Sequence, residues 1–227
     1  MSCVLQRVYK SVWHAIKSFN EFVRLPVALF VVFATILIVK SYHFYIPPKF
    51  NTGFLAGRET YFFSTPYAVG FYLHIVGAPL ALIAGTLQFS RTILKRLPKL
   101  HRTLGRTAII STIGFATPGG LIMAFGTRAG SSAVLCFLVM NLLTAWFAWM
   151  AWRTAVARRF VDHRRWAWRC YLMLASAILL RIIDPVLRET GVPDLQSYRL
   201  SIWLSWLPSL VCYEILHSRW SLRIHRN

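Results

Sequence analysis

Apolar residues along this chain come in long runs, separated by short polar blocks rich in Lys and Arg. A helix needs about 20 predominantly apolar residues to cross a bilayer core of roughly 30 Å. Six runs of that kind predict spans at 26–45, 66–89, 103–125, 132–152, 166–186 and 198–217. The predicted fold is therefore all-α: a polytopic integral membrane protein with six transmembrane helices in one bundle. Pro79 and Pro118 lie inside the second and third runs, where bundle neighbours accommodate a kink. The stretch 46–65 carries Pro47-Pro48 and is too polar to span.

Within two of these runs the small residues are themselves periodic. His74, Gly77, Ala81, Gly85 and Gln88 recur every three or four positions, as do His101, Gly105, Ala108, Thr112, Ala116 and Gly119. Each set shares one helix face. In a membrane such stripes let two backbones approach closely, or leave room for a flat ligand. The fifth run has a stripe of its own, from His163 through Ala167, Cys170, Leu174 and Ala177 to Arg181 and Asp184.

Residues 1–24 differ in pattern. Leu5, Val8, Val12, Ile16, Phe19 and Val23 share a face and Arg7, Lys10 and Lys17 lie off it, which predicts a basic amphipathic helix in the interface. The acid-poor, Ser-containing start also resembles an organelle transit peptide, whereas no short apolar region with a small-residue cleavage site precedes the first run. The expected organisation is this segment followed by a single membrane domain, 25–227, with no internal repeat. A bacterial-type plasma membrane is the expected location and an organelle membrane the alternative.

Charge refines the picture. Lys and Arg number 26 against 7 Asp and Glu, a net charge of +19. Such a balance could signal nucleic acid, but the cations sit in blocks between spans, so no nucleic-acid partner is expected. With the N-terminus inside, 19 of the 26 fall on the inner side. The outer side holds only Lys40, Lys49, Arg58, Arg128, Arg188 and Arg199, with Arg181 inside the membrane. That asymmetry predicts both termini inside, and the expected partners are the bilayer, anionic lipid headgroups and other membrane subunits or a second copy. Trp146, Trp149, Trp152, Tyr42 and Tyr45 suit aromatic belts. Cys136, Cys170 and Cys212 lie in spans without C-x-x-C spacing and read as buried small hydrophobes.

The topology assigns depths to the polar residues. His74 lies roughly 10 Å below the outer surface, in the same layer as Arg181 and Asp184. An intramembrane arginine is costly and marks a functional site by default. The alternative is a local Arg181–Asp184 pair at i,i+3. Gln88, His101, His163, Glu214 and His217 form an inner layer, where His101 and His163 could bind a b-type haem iron or, with Glu214 and His217, a divalent metal. Against that, histidines beside Arg102, Arg164 and Arg165 suit lipid phosphate, and Glu214 suits an arginine partner. No nucleophile elbow, phosphate loop or H-E-x-x-H motif occurs.

The ordered set H74-x2-G77, Q88-F89, H101-R102-x2-G105-R106, H163-R164-R165-W166-x2-R169 and R181 resembles a predicted-membrane-protein family labelled domain of unknown function 2306, over about 67–185. The resemblance implies recurring positions at His74, Gln88, Phe89, His101, Gly105, Arg106, His163, Trp166 and Arg181; it implies no activity. The core is also similar to the cytochrome b561-like di-haem proteins, in which haem ligands pair at two depths. His43 is the sole candidate outer partner for His74.

Three functions follow as expectations. One is a membrane redox component binding b-type haem or quinone, with His74 and Arg181 on the outer site and His101 and His163 on the inner. The second is a small-molecule or anion permease using Arg181 and Asp184. The third is a scaffolding subunit whose stripes pack helices, Gly85 among them.

Overall fold

A computed structural model describes residues 25–51 and 53–224 of the chain. The predicted interfacial helix at 1–24 lies outside the described residues. Every regular element among those described is helical, and five helices are long and apolar enough to cross a membrane. They are α1 (Leu25–Phe44), α3 (Tyr67–Gln88), α5 (Pro98–Phe125), α6 (Ser131–Val156) and α7 (Phe160–Glu189). Between them lie two short helices, α2 (Glu59–Ser64) and α4 (Arg91–Arg96). After them come α8 (Asp194–Leu204) and α9 (Leu207–Ile224).

The sixth predicted span is not one continuous helix. It divides at Ser205–Trp206, between α8 and α9. Pro208 explains the break: its ring collides with the carbonyl four residues back, Leu204, and it disfavours helical backbone at Leu207. The helix before it therefore ends at Leu204 and a new one begins with the proline in its first turn, where no N–H is needed.

Glycine sets the spacing of α3 against α5. A Cβ on Gly77 would lie 2.5 Å from Phe115 Cβ and 2.7 Å from the Ala116 nitrogen. One on Gly119 would overlap the Gly70 carbonyl and stand 2.6 Å from the His74 nitrogen. Only hydrogen fits, so the two backbones touch. Gly85 differs: its nearest neighbour is Tyr171 at an ordinary 3.5 Å, so the packing role expected there belongs to Gly70, Gly77 and Gly119.

Midway along α5 the helix widens into a π turn at Ser111–Ala116, with the Thr117 N–H bonded to the Thr112 carbonyl. Pro118, just beyond, lacks the N–H a regular ladder would use. Thr112 and Thr117, joined by the bond between their backbones, are both buried.

Elsewhere α6, α7 and α8 share a core of Ala133, Cys136, Phe147, Ala148, Cys170, Met173 and Ile202. Cys170 is buried there as expected; Cys136, also buried, accepts from Trp206 Nε1 at 3.3 Å and donates to the Ile202 carbonyl at 3.5 Å, whereas Cys212 is exposed. Helix α1 is the least buried of the five spans. It leans on the bundle through Val31, which clusters with Leu82 and Ile178.

The 46–66 connection folds back as a cap. Tyr45, Leu55, Phe62, Tyr67 and Phe71 form its aromatic core, with Tyr45 edge-on to Phe71 at 5.2 Å. Tyr45 is thus buried in the cap rather than standing in a lipid-facing belt. Arg58 donates to the Gly126 carbonyl at 2.7 Å, and Arg128 donates to the Gly57 carbonyl. These two bonds fasten the cap to the α5–α6 connection. Arg199 likewise donates to Ala129 O at 2.6 Å, so three of the few cations on this face hold loops in place.

Candidate functional site

A cavity of about 750 Å³ opens beneath the cap. Its walls come from all five long helices, with α8 and the cap closing it. Ile38, Phe71, Pro79, Leu82, Leu174 and Met173 make it mostly apolar; its polar lining from the spans includes His74, Thr117, Asn141, Arg181 and Asp184, with the hydroxyls of Thr35, Ser41, Thr144 and Ser176. Tyr42, Tyr45 and Tyr198 face the same space. This is the form of a small-molecule site: apolar walls with a few convergent polar groups.

His74 is held rather than free. Its Nδ1 lies 2.8 Å from the carbonyl of Ala116. A carbonyl only accepts, so Nδ1 carries the proton and donates it, and the neutral ring presents Nε2 as an acceptor. The close contact at Gly77 and Gly119 brings the two helices near enough for this bond. Beside Ala116, Thr117 is buried and its hydroxyl has no hydrogen-bond partner among the described residues. Asn141 sits against Gly120, where a Cβ would strike its amide, and its Nδ2 donates to the Phe137 carbonyl at 2.8 Å.

The expected Arg181–Asp184 pair does not form. Arg181 donates to the Ala177 carbonyl at 2.8 Å. Asp184 instead pairs with Arg188 one turn on, at 2.7 Å, and accepts from the buried Ser197 hydroxyl at 2.8 Å. An acid four residues before a base is the favoured helical arrangement, and Ser197 reaches Asp184 from α8. Arg181 keeps accessible surface, since it stands in the cavity wall. Among the described residues it has no carboxylate within 4.0 Å.

The inner-layer residues do not line this cavity. Gln88 donates from Nε2 to the His101 carbonyl at 2.5 Å and occupies the space that Gly105 leaves open. It stitches the end of α3 to the start of α5. His163 donates from Nδ1 to the Ala151 carbonyl at 2.8 Å, while the buried Nδ1 of His101 has no partner among the described residues. Glu214 pairs with Arg169 through both oxygens, at 2.5 and 2.8 Å, as its arginine reading expected. Arg169 also lies over the Trp166 ring at 4.6 Å, so Trp166 is a packing residue. Arg106 is exposed. The side chain of His217 lies outside the described residues. Among the described residues no group of three or more His, Cys, Asp or Glu is placed to hold a metal ion.

Sequence reasoning singled out His74, Arg181 and Asp184. It missed Thr117, Arg58 and Tyr198 as cavity residues. Arg58 carried one signal, as a cation on the cation-poor face. Thr117 carried none, because its inward position depends on the π turn.

Comparison with known proteins adds the family. No curated protein and no solved structure matches the chain. The family model described as "Predicted membrane protein (DUF2306)" matches residues 71–217, and the chain belongs to that family of membrane proteins.

Proposed function

We propose that this family member binds a small organic ligand inside its membrane bundle, and that the ligand supplies the negative or strongly accepting oxygen that Arg181 lacks. One observation carries the reading: Arg181 stands in the wall of a cavity of about 750 Å³ with no carboxylate within 4.0 Å among the described residues. A charged arginine at membrane depth costs several kcal/mol, about 2.5–3.5 on insertion scales, unless something offsets it. The nearest acid in sequence, Asp184, is already committed to Arg188 and Ser197. The Thr117 hydroxyl, without a partner among the described residues, adds a donor on the same cavity. The best-supported function is thus binding or carriage of an organic anion, by a protein embedded in the bilayer with its more basic face inward.

His74 favours a second reading, quinone or quinol as the ligand. With Nδ1–H fixed on Ala116, Nε2 can accept a quinol hydroxyl while Arg181 donates to the opposite oxygen. Haem held by two imidazoles does not fit the cavity, because His74 lines it and neither His101 nor His163 does.

Thermal unfolding of the detergent-purified protein with a panel of soluble aliphatic and aromatic carboxylates, and with a short-chain ubiquinone, tests both readings. A ligand at about 100 times its Kd stabilises by roughly 2.7 kcal/mol. A rise in Tm with a carboxylate that Arg181→Gln removes supports the anion. A rise with the quinone that His74→Phe removes supports the second reading. If nothing stabilises wild type more than Arg181→Gln, the proposal fails.

A further inference from the structure

We infer that the ligand is a single-chain amphiphile with an anionic head, drawn from the lipid phase rather than from water. The inference rests on the anion reading of the Arg181 site and concerns the class of ligand and its route.

Arg181 and Thr117 lie toward the cap. Deeper in the wall Asn141, Thr144 and Ser176 donate to carbonyls of their own helices, and the rest of the wall there is mainly apolar. Leu174 is two turns beneath Arg181 on α7, about 10 Å, and Leu82 is roughly 12 Å beneath His74 on α3; both line the same space. Arg58 and Arg128 line the space from the cap side, each bonded to a backbone carbonyl there; Arg181 is the cation within a span, and one charge above a mainly apolar sleeve of that length matches one charge on one chain. A small hydrophilic anion would use Arg181 and leave the sleeve unfilled.

The route follows from what surrounds the cavity. On the water-facing side Phe54 and Arg58 of the cap line it, and the cap is fastened at both ends of its contact with the α5–α6 connection. On the lipid side the wall is α1, which contributes Thr35 and Ile38 to the cavity. That helix is the least buried of the spans and is tied to the bundle through the small Val31, Leu82 and Ile178 cluster. Its other face, with Phe30, Phe33 and Leu37, is exposed and apolar. Parting only the Val31–Ile38 stretch of α1 from α3 and α7 opens a small cluster and leaves Tyr42 and Phe44 packed on the cap core, whereas lifting the cap breaks that core and two arginine hydrogen bonds. A chain dissolved in the bilayer is already beside the first opening.

The test uses the full protein in phosphatidylcholine nanodiscs carrying a trace of 16-doxyl-stearate, read by electron spin resonance. An immobilised component is expected in wild type. Dodecanoate should displace the probe, while its uncharged methyl ester and the chainless acetate should not. Arg181→Gln should weaken probe binding about tenfold or more, the loss of a charge-assisted contact. Ala78→Phe, which fills the sleeve and keeps the arginine, should weaken it as well. Retention of the immobilised component in both variants refutes the inference. Displacement by acetate as readily as by dodecanoate also refutes it, but leaves the anion reading intact. No immobilised component in wild type overturns it too, and the soluble carboxylate panel then decides the anion reading alone.

Discussion

Replacing Gly119 by alanine tests the packing that builds the site. The added methyl would overlap the Gly70 carbonyl and approach the His74 nitrogen at 2.6 Å and its Cα at 3.0 Å. All three are backbone atoms, so no side chain can turn aside and α3 must move away from α5. Overpacking of this kind costs about 1–3 kcal/mol. It is partly offset, because alanine favours helix over glycine by about 1 kcal/mol. Gly114 on the same helix isolates the two effects: a Cβ there meets nothing within 4 Å, so Gly114→Ala carries the propensity gain alone. Their difference should therefore be the overpacking itself, about 1–3 kcal/mol. Unfolding by SDS titration of the detergent-solubilised protein, followed by tryptophan fluorescence, measures it. If Gly119→Ala proves as stable as Gly114→Ala, the close contact between α3 and α5 is wrong, and with it the bond from His74 to Ala116.

Further substitutions separate site from scaffold. In the ligand-free protein Arg181→Gln should raise stability by up to about 2–3 kcal/mol, since it removes a charge without a carboxylate partner; a loss of stability in the same titration would mean the arginine is already compensated. Asp184→Ala should lower the midpoint only slightly, because Ser197 keeps the Asp184 backbone carbonyl and Arg188 keeps Asp194; a large loss would show that the carboxylate itself holds α8 to α7. Gln88→Ala should lower stability by about 1 kcal/mol through loss of its bond to His101 while leaving ligand-induced thermal shifts intact, and loss of those shifts would place the inner layer in the binding site. Glu214→Gln should cost about 1–3 kcal/mol, because the largely buried Arg169 loses its charged acceptor; an unaltered SDS midpoint would remove any role for that pair in holding α9 to α7.

Much of the bundle was legible in sequence because a membrane helix is written as uninterrupted apolar length. The runs at 26–45, 66–89 and 132–152 end within a few residues of the observed helices. Two others extend further at their basic ends, α5 from Pro98 and α7 from Phe160, because amphipathic turns continue a helix beyond the apolar stretch. The run at 198–217 misled for the opposite reason: its hydropathy persists across Pro208, but its backbone does not. In the site, His74 and Arg181 stood out because ionisable groups are rare at that depth. The partner of Asp184 did not, since Arg181 at i−3 and Arg188 at i+4 are both within helical reach, and Ser197, which helps hold the carboxylate, comes from a different helix.

The wide turn at Ser111–Ala116 has one consequence for how α5 works as a part. On one side of it the helix is keyed to the end of α3 through Gln88 and Gly105; on the other it is keyed to His74 and Asn141 through Ala116, Gly119 and Gly120. A regular helix advances 100° per residue, and the π turn absorbs about one residue more than a regular turn, so the same residues wound as a uniform α-helix would swing everything beyond the turn by about that angle. Gly119 would rotate off α3 and the Ala116 carbonyl would leave the imidazole, although no side chain in either contact had changed. The turn thus fixes the rotational phase between two halves of one helix, and lets a single segment fit two neighbours that a uniform screw could not satisfy together.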